Sequence, residues 1–260
     1  MTDYNRKGDV SFKEGTQWLT DWKDKIRPKI TCLFGGEPLM NKDLNQWIEL
    51  VRLTWPDTII KIITNGFYLD KKPVLNWLYK FSPAELQLSL HFRDDPRRKL
   101  LIDKLKKQMQ DSELNFIPVK LERASDQLCF VKDNLNITVA EFGHFRKPYK
   151  GEGKSMSPAN GEATKSHSVC GSPNNPILYK NRLYKCGVIG NLRDTLVLHN
   201  LIDNNEWGKY LKYNGYSPDD DLSSFADNIG KPEWICTMCP SNQNEYIDHY
   251  AIGSVKEKKK

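Results

Sequence analysis

The sequence lacks any segment that could cross a membrane or direct secretion. No stretch of its 260 residues approaches the ~18 consecutive apolar residues that a membrane span needs. A basic segment followed by an apolar one, which is typical of a secretion signal, is also missing from the N-terminus. We therefore expect a cytoplasmic protein with no membrane partner.

The sequence also lacks a strong excess of charge of one sign. Lys and Arg number 39 and Asp and Glu 33, which gives a net charge of +6, and four lysines lie among the last five residues. This excess predicts a solvated basic tail over 246–260. Because no other stripe interleaves basic with aromatic residues, we do not expect nucleic acid as a partner. Aromatic residues make up 11% of the chain, which argues against disorder.

Cysteine is scarce, but its spacing is informative. Without a secretion signal, six cysteines indicate metal or redox chemistry rather than disulfides. Two of them, Cys32 and Cys129, lie in apolar segments and are predicted to be core residues. The other four form two pairs, and thiolates in paired spacing suit a tetrahedral zinc site or an iron–sulfur cluster. The predicted ligands are Cys170, Cys186, Cys236 and Cys239.

Apolar patterns in the first half alternate between two periods. Short apolar runs predict strands at 30–34, 58–63, 86–90 and 113–121, with a further strand around Leu135, Ile137 and Val139. Helical spacing of apolar residues predicts helices between them. Strands that alternate with helices favour parallel pairing, so an α/β fold is expected. We predict a domain over 1–142, a linker over 143–169 and an irregular Cys-rich unit over 170–245.

Unusual residues follow three of the predicted strands. The carboxyl ends of parallel strands are where α/β folds bind ligands. Two adjacent glycines let a ligand approach the backbone closely, and a carboxylate beside them suits an ammonium group. The residues concerned are Gly35-Gly36-Glu37-Pro38 after the first strand, Thr64-Asn65-Gly66 after the second, and Ser89 near the end of the third.

This order of strand, GGEPL, helix, strand and TNG resembles the radical S-adenosylmethionine (radical SAM) family over residues 10–120. The resemblance implies a partial (βα)6 barrel that binds S-adenosylmethionine across its strand ends. Gly35, Gly36 and Glu37 would hold the methionine amino group, Pro38 would fix the chain, and the TNG turn and Ser89 would lie near the ribose or carboxylate. Such enzymes use an iron–sulfur cluster and an electron donor to generate a radical that abstracts a hydrogen atom from the substrate.

The second half is similar to the auxiliary-cluster extension of many such enzymes, the SPASM or twitch type. Its opening motif is a Cys, about ten residues, and then Gly-x4-Cys; here Asn181 occupies the glycine position before Cys186. The run from Ile177 to Cys186 predicts a hairpin that turns at Lys180 and Asn181. The resemblance implies one [4Fe-4S] cluster on the four cysteines, closer to the twitch form because the later SPASM cysteines are missing. Zinc fits the spacing equally well.

The chain departs from the family at the CxxxCxxC loop that holds the SAM-binding cluster. No cysteine precedes Cys32, and the family's first strand is missing with the loop. We expect an N-terminally truncated or mis-assigned start, with hydrogen abstraction on an unknown peptide or small molecule as the function of the longer chain. The alternative is a non-catalytic remnant, or a metal-stabilised binding module with one four-cysteine site that holds iron–sulfur or zinc.

Overall fold

The computed structural model describes residues 8–91, 96–121, 124–141, 144–242 and 246–248. The chain divides into two compact units, one of residues 8–143 and one of residues 144–247. From residue 249 onward, the predicted basic tail lies outside the described residues. Within the described ranges, no helix combines the length and the apolar character that a membrane crossing requires.

Strands and helices alternate in the first unit up to its fourth helix. The helices are α1 (Phe12–Trp22), α2 (Leu44–Thr54), α3 (Val74–Lys80) and α4 (Pro96–Asp111), with short 3-10 turns at Pro38–Met40 and Leu69–Lys71. The strands are β1 (Ile30–Leu33), β2 (Ile59–Thr64), β3 (Ala84–Leu90), β4 (Ile117–Leu121), β5 (Ala124–Lys132) and β6 (Leu135–Glu141).

The six strands form one sheet in the order β1-β2-β3-β6-β5-β4. Strands β1, β2, β3 and β6 run parallel, whereas β5 pairs antiparallel with both β6 and β4. The α/β class is therefore as predicted, but the strand predicted over 113–121 lies at the edge of the sheet and pairs antiparallel with β5, not parallel as expected. A two-residue turn at Asp133 and Asn134 joins β5 to β6, and so short a connection permits only antiparallel pairing.

The apolar spacing of the helices and strands explains the core of this unit. Leu44, Ile48 and Val51 recur at helical spacing in α2 and are buried, and α2 lies against β1 and β2. In β2 every second residue from Ile60 to Thr64 is buried, as alternation in a strand requires. This packing holds the carboxyl ends of β1 and β2 side by side.

The second unit consists of short elements around a compact apolar core. Its strands are β7 (His144–Arg146), β8 (Tyr149–Lys150), β9 (Ser157–Pro158), β10 (Ile177–Tyr179), β11 (Arg182–Tyr184) and β12 (Tyr246–Asp248). Its helices are α5 (Ala163–Ser168), α6 (Gly187–Gly190), α7 (Leu192–Leu198), α8 (Gly208–Leu211) and α9 (Ser223–Asn228), with 3-10 turns at Gly153–Ser155, Asn205–Trp207 and Trp234–Met238.

The core of this unit is aromatic at its centre. Trp207 and Tyr210 are fully buried, and Tyr149 meets the Trp207 ring edge-on with 5.2 Å between ring centroids. Part of the predicted linker joins this packing, because the Ala159 amide donates to the Met238 carbonyl at 2.9 Å. The residues from 144 to 169 thus belong to the second unit and help to hold its final turn.

Candidate functional site

The Glu37 side chain joins the ends of β1 and β2. Its Oε1 accepts hydrogen bonds from the Thr64 hydroxyl at 2.6 Å and the Leu39 amide at 3.0 Å, and its Oε2 accepts one from the Asn65 amide at 2.8 Å. Thr64 is buried and its hydroxyl in turn accepts from the Gly66 amide at 3.0 Å. A carboxylate offers about four acceptor positions, so these bonds leave about one on Oε2.

The glycines around this bridge serve different purposes. Gly66 has a φ of +81°, and a Cβ there would lie 2.5 Å from a Leu88 methyl group, so the turn itself requires glycine. Gly35 and Gly36 are exposed, have no left-handed φ, and a Cβ on either would meet nothing within 4 Å. Nothing in the described residues therefore requires glycine at 35 or 36, and the backbone there is open to an approaching group.

The remaining predicted residues of this edge have structural positions. Pro38 is buried at the start of the 3-10 turn for which Glu37 is the N-cap. Ser89 is buried in β3 opposite Ala140 of β6, and the Gln87 amide donates to its hydroxyl at 3.4 Å. The sheet thus brings the Gly35–Pro38 and Thr64–Gly66 segments together, while Ser89 lies two strands away from β1.

The hairpin that leads to Cys186 is as predicted. Strands β10 and β11 pair antiparallel, and Lys180 and Asn181 form the turn with φ values of +49° and +58°. Such a two-residue turn matches the twist of its strands. Cys186 is the N-cap of α6, and backbone N–H groups of Ile189 and Val188 lie close enough to stabilise its thiolate.

A buried ion pair fixes Cys236 relative to this hairpin. The Lys185 ammonium lies 2.7 Å from the Glu233 carboxylate and donates to the carbonyls of Asn228 and Lys231 at 3.1 and 2.7 Å. Lys185 is 7% exposed and Glu233 is 22% exposed. Since Glu233 immediately precedes the turn that contains Cys236, the pair links both cysteine segments. Sequence reasoning missed this clamp because a lysine beside a cysteine has no distinctive pattern.

All four predicted cysteine ligands line one cavity. Cys170, Cys186, Cys236 and Cys239 surround about 40 Å³ of space, together with Ser166, His167, Ser172 and apolar side chains. About 10–15 Å³ on this measure suffices for one water molecule, so the cavity has room for a larger group. The fold therefore brings together residues that are up to 69 positions apart in the sequence.

The surroundings of two cavity cysteines, Cys186 and Cys236, disfavour their thiolates. Burial raises the pKa of Cys186, and the neighbouring Cys170 and Cys236 raise it further. Burial also raises the pKa of Cys236. The positive charge of Lys185 lowers this pKa, and the negative charge of Glu233 raises it. A thiolate-binding metal must displace these protons, so binding is expected to release protons.

The cavity does not resemble a site for a single ion. In the parts of the chain that the structure describes, no three His, Cys, Asp or Glu side chains are grouped to hold one metal ion. Tetrahedral zinc with bonds of about 2.3 Å requires its thiolates roughly 3.8 Å apart. The four cysteines share one cavity, but among the described residues no three of them are grouped as a metal-binding set.

The two cysteines predicted to be core residues lie in the first unit, apart from this cavity. Cys129 is buried in β5, and Cys32 in β1 is half-buried. Burial raises the pKa of Cys32 to about 11, with Lys61 lowering it and Glu85 raising it. Both are therefore protonated thiols near neutral pH.

No protein-family model matches the chain, and no curated protein is significantly similar to it. The function must therefore be inferred from the geometry of the strand ends and of the cysteine cavity.

Proposed function

We propose that this chain is a radical SAM-type iron–sulfur protein with one auxiliary [4Fe-4S] cluster. S-adenosylmethionine binds at the strand ends Gly35–Pro38 and Thr64–Gly66, and the cluster is held by the four cysteines of the second unit. The observation that carries the proposal is that four cysteines with auxiliary-cluster spacing line one cavity. The function is radical-initiated hydrogen abstraction from an unknown peptide or small molecule, with an electron donor, in the cytoplasm.

The sheet supports a partial barrel of the (βα)6 type. Strands β1, β2 and β3 follow one another in sheet order, are parallel and are joined by helices, as such a barrel requires. In addition, the predicted ligand segments follow β1 and β2 at the same edge. The antiparallel pairs of β5 with its two neighbours are a departure from that pattern.

The residues of the strand-end edge have distinct tasks in this proposal. Glu37 holds the TNG turn against the GGEP segment through two hydrogen bonds, from Thr64 and Asn65, and caps its own 3-10 turn through a third, from Leu39. The remaining acceptor position on its Oε2 and the backbone of Gly35 and Gly36 receive the methionine ammonium group. S-adenosylmethionine supplies the radical chemistry when it is bound with a reducing cluster, and the protein positions it.

The partial match of the first unit's sheet order to the family's barrel, and not the cysteine spacing, favours a cluster over zinc. Each iron of a [4Fe-4S] cluster takes a separate thiolate, so the four sulfurs are held farther apart than around one zinc ion. A cavity of about 40 Å³ lined by all four cysteines offers the thiolates that either occupant takes. Zinc remains the competing occupant for the experiment to test.

A second candidate is a non-catalytic module that retains the four-cysteine site. It is favoured by one specific observation: the 260 residues contain no CxxxCxxC motif. In this case the metal stabilises a partner-binding fold, and S-adenosylmethionine is bound weakly or not at all.

Anaerobic reconstitution of the full chain with ferrous iron and sulfide tests the cluster. We expect close to four iron and four sulfide per chain, with loss of both in Cys236→Ser and Cys239→Ser. Cys32→Ser and Cys129→Ser are matched controls and should retain the cluster. Zinc uptake with no iron–sulfur absorption would contradict the cluster, and equal loss in the controls would contradict the assigned ligands.

Replacement of the exposed glycines tests the S-adenosylmethionine site without damage to the fold. A Cβ at Gly36 meets nothing within 4 Å, so Gly36→Ala should fold at least as well as the wild type. We expect equilibrium dialysis to show tenfold weaker S-adenosylmethionine binding by Gly36→Ala. Gly171→Ala is the matched control because its Cβ site in the second unit is equally open. No binding by the wild type would contradict this site.

The reading frame upstream of Met1 distinguishes the two candidates. An in-frame CxxxCxxC segment supports the enzyme, and cofactor cleavage should then be assayed with the longer chain. A stop codon with no such motif supports the non-catalytic module.

A further inference from the structure

His167 is a further polar group in the cysteine cavity. It belongs to α5, three residues before Cys170, and lies in the lining of the cavity with the four cysteines. Its Nε2 atom is buried from solvent and has no hydrogen-bond partner among the residues that the structure describes. The signal that could have found it is its two-residue spacing from Cys170, the same spacing that separates Cys236 from Cys239.

An unsatisfied imidazole nitrogen is costly in such a place. A buried polar group without a partner costs about 1–3 kcal/mol, so a partner is expected where Nε2 lies. The protein groups that face this cavity include Lys185, and Glu233 lies nearby as its ion partner. Burial lowers the pKa of His167, Lys185 lowers it further and Glu233 opposes this.

We propose that His167 donates a hydrogen bond from Nε2–H to a sulfur atom of the cluster bound by the four cysteines, and thereby raises the reduction potential of that cluster. This inference rests on the proposed function, because it requires the cluster to be present. Hydrogen bonds to cluster sulfurs stabilise the reduced, more negative form, which is how proteins adjust such potentials.

The number of thiolate ligands favours a hydrogen bond from His167 over direct ligation of iron by His167. Four thiolates supply one ligand for each of four irons, so no iron requires the imidazole. A neutral imidazole carries one proton, and as the Nε2–H tautomer it can donate to a sulfur acceptor without any change of charge. His167 is therefore a positioning and tuning residue rather than a ligand.

Two substitutions in the full chain separate donor from ligand. His167→Leu removes the donor, whereas His167→Gln retains an amide N–H at about the position of Nε2. We expect both variants to bind as much iron and sulfide as the wild type. The midpoint potential, measured by redox titration with EPR detection, should be more negative in His167→Leu and restored largely to the wild-type value in His167→Gln. His199→Leu, outside the cavity, is the control and should leave the potential unchanged.

Each other outcome overturns a defined claim. An unchanged potential in His167→Leu, with the cluster intact, overturns the inference and leaves the proposed function standing. Loss of iron in both variants, with a strong ¹⁴N coupling in the wild type, shows that His167 is a ligand and also overturns it. If the wild type itself binds no cluster or takes only zinc, the proposed cluster and the inference fail together.

Discussion

The bridge between Glu37 and Thr64 should contribute measurably to the stability of the first unit. In Glu37→Gln the amide oxygen can still accept from Thr64 and Leu39, but the amide nitrogen faces the Asn65 N–H, 2.8 Å from the original oxygen. One bond to a charged acceptor is lost, and two donors oppose each other. A bond of this kind contributes about 1.5–3 kcal/mol, so we expect a loss of about 2 kcal/mol in the free energy of unfolding.

Thr64→Val removes the other half of the bridge. The hydroxyl donates to Glu37 at 2.6 Å and accepts from Gly66 at 3.0 Å, and its side chain is 1% exposed. We expect a loss of about 1–2 kcal/mol, because the Gly66 amide becomes an unsatisfied buried donor. Since the two residues share a hydrogen bond, the double variant should lose less than the sum of the single losses, with a coupling of about 1 kcal/mol.

Urea unfolding with amide hydrogen exchange on peptides that span 59–66 measures these effects where they arise. Glu49→Gln is a matched control on the exposed face of α2, and it should change the free energy of unfolding by less than about 0.5 kcal/mol. If Glu37→Gln unfolds at the wild-type urea concentration, or if the two variants are strictly additive, the bridge does not stabilise the strand ends.

Three further predictions concern other parts of the chain. Lys185→Met should lower the free energy of unfolding of the second unit in urea by about 3 kcal/mol, because Glu233 loses its ion-pair partner and the two carbonyls that Lys185 bonds lose their donor. Lys185→Arg should lose less, and a loss below about 1 kcal/mol in Lys185→Met would contradict the clamp. The pKa of Cys32 is raised from 9.0 to about 11, so its thiolate fraction at pH 8 should be about 100-fold below that of an ordinary thiol. Alkylation of Cys32 by iodoacetamide should therefore accelerate as the pH rises toward 11. A rate plateau near pH 9 would show that the pKa is not raised. Asn181→Val should lower the free energy of unfolding by about 1–2 kcal/mol, because a β-branched residue must then adopt a φ of +58°. Asn181→Gly should lower it by less than about 0.5 kcal/mol. Equal thermal stability of the two variants would argue against the turn.

Turns and strands that depend on neighbouring residues could be predicted from the sequence. The turn at Lys180 and Asn181 follows from two short strand-like segments on either side of an asparagine, which tolerates a left-handed backbone better than most residues. The first three strands follow from β-branched or apolar runs. Their ends differ from the predicted bounds by no more than two residues, because strand ends depend on pairing partners as well as on composition.

Strand order and side-chain contacts between residues far apart in the chain could not be predicted from the sequence. The 113–121 segment has a strand pattern, yet its position at the sheet edge depends on the turn at Asp133 and on β6 taking the place beside β3. The sequence predicts a ligand role for Glu37 but gives no sign that three hydrogen bonds to its carboxylate hold the fold together. The Lys185 clamp has no sequence signal.

Residues that are neighbours in the chain account for the α/β class, the segments that follow each strand and the paired spacing of the four cysteines, so these features could be predicted without a structure. The tertiary structure decided which strands are neighbours, which acceptors of Glu37 remain for a ligand, and that Cys170, Cys186, Cys236 and Cys239 line one cavity with His167. These depend on packing between segments far apart in the sequence, and the contact energies that fix such packing leave no periodic trace in the chain.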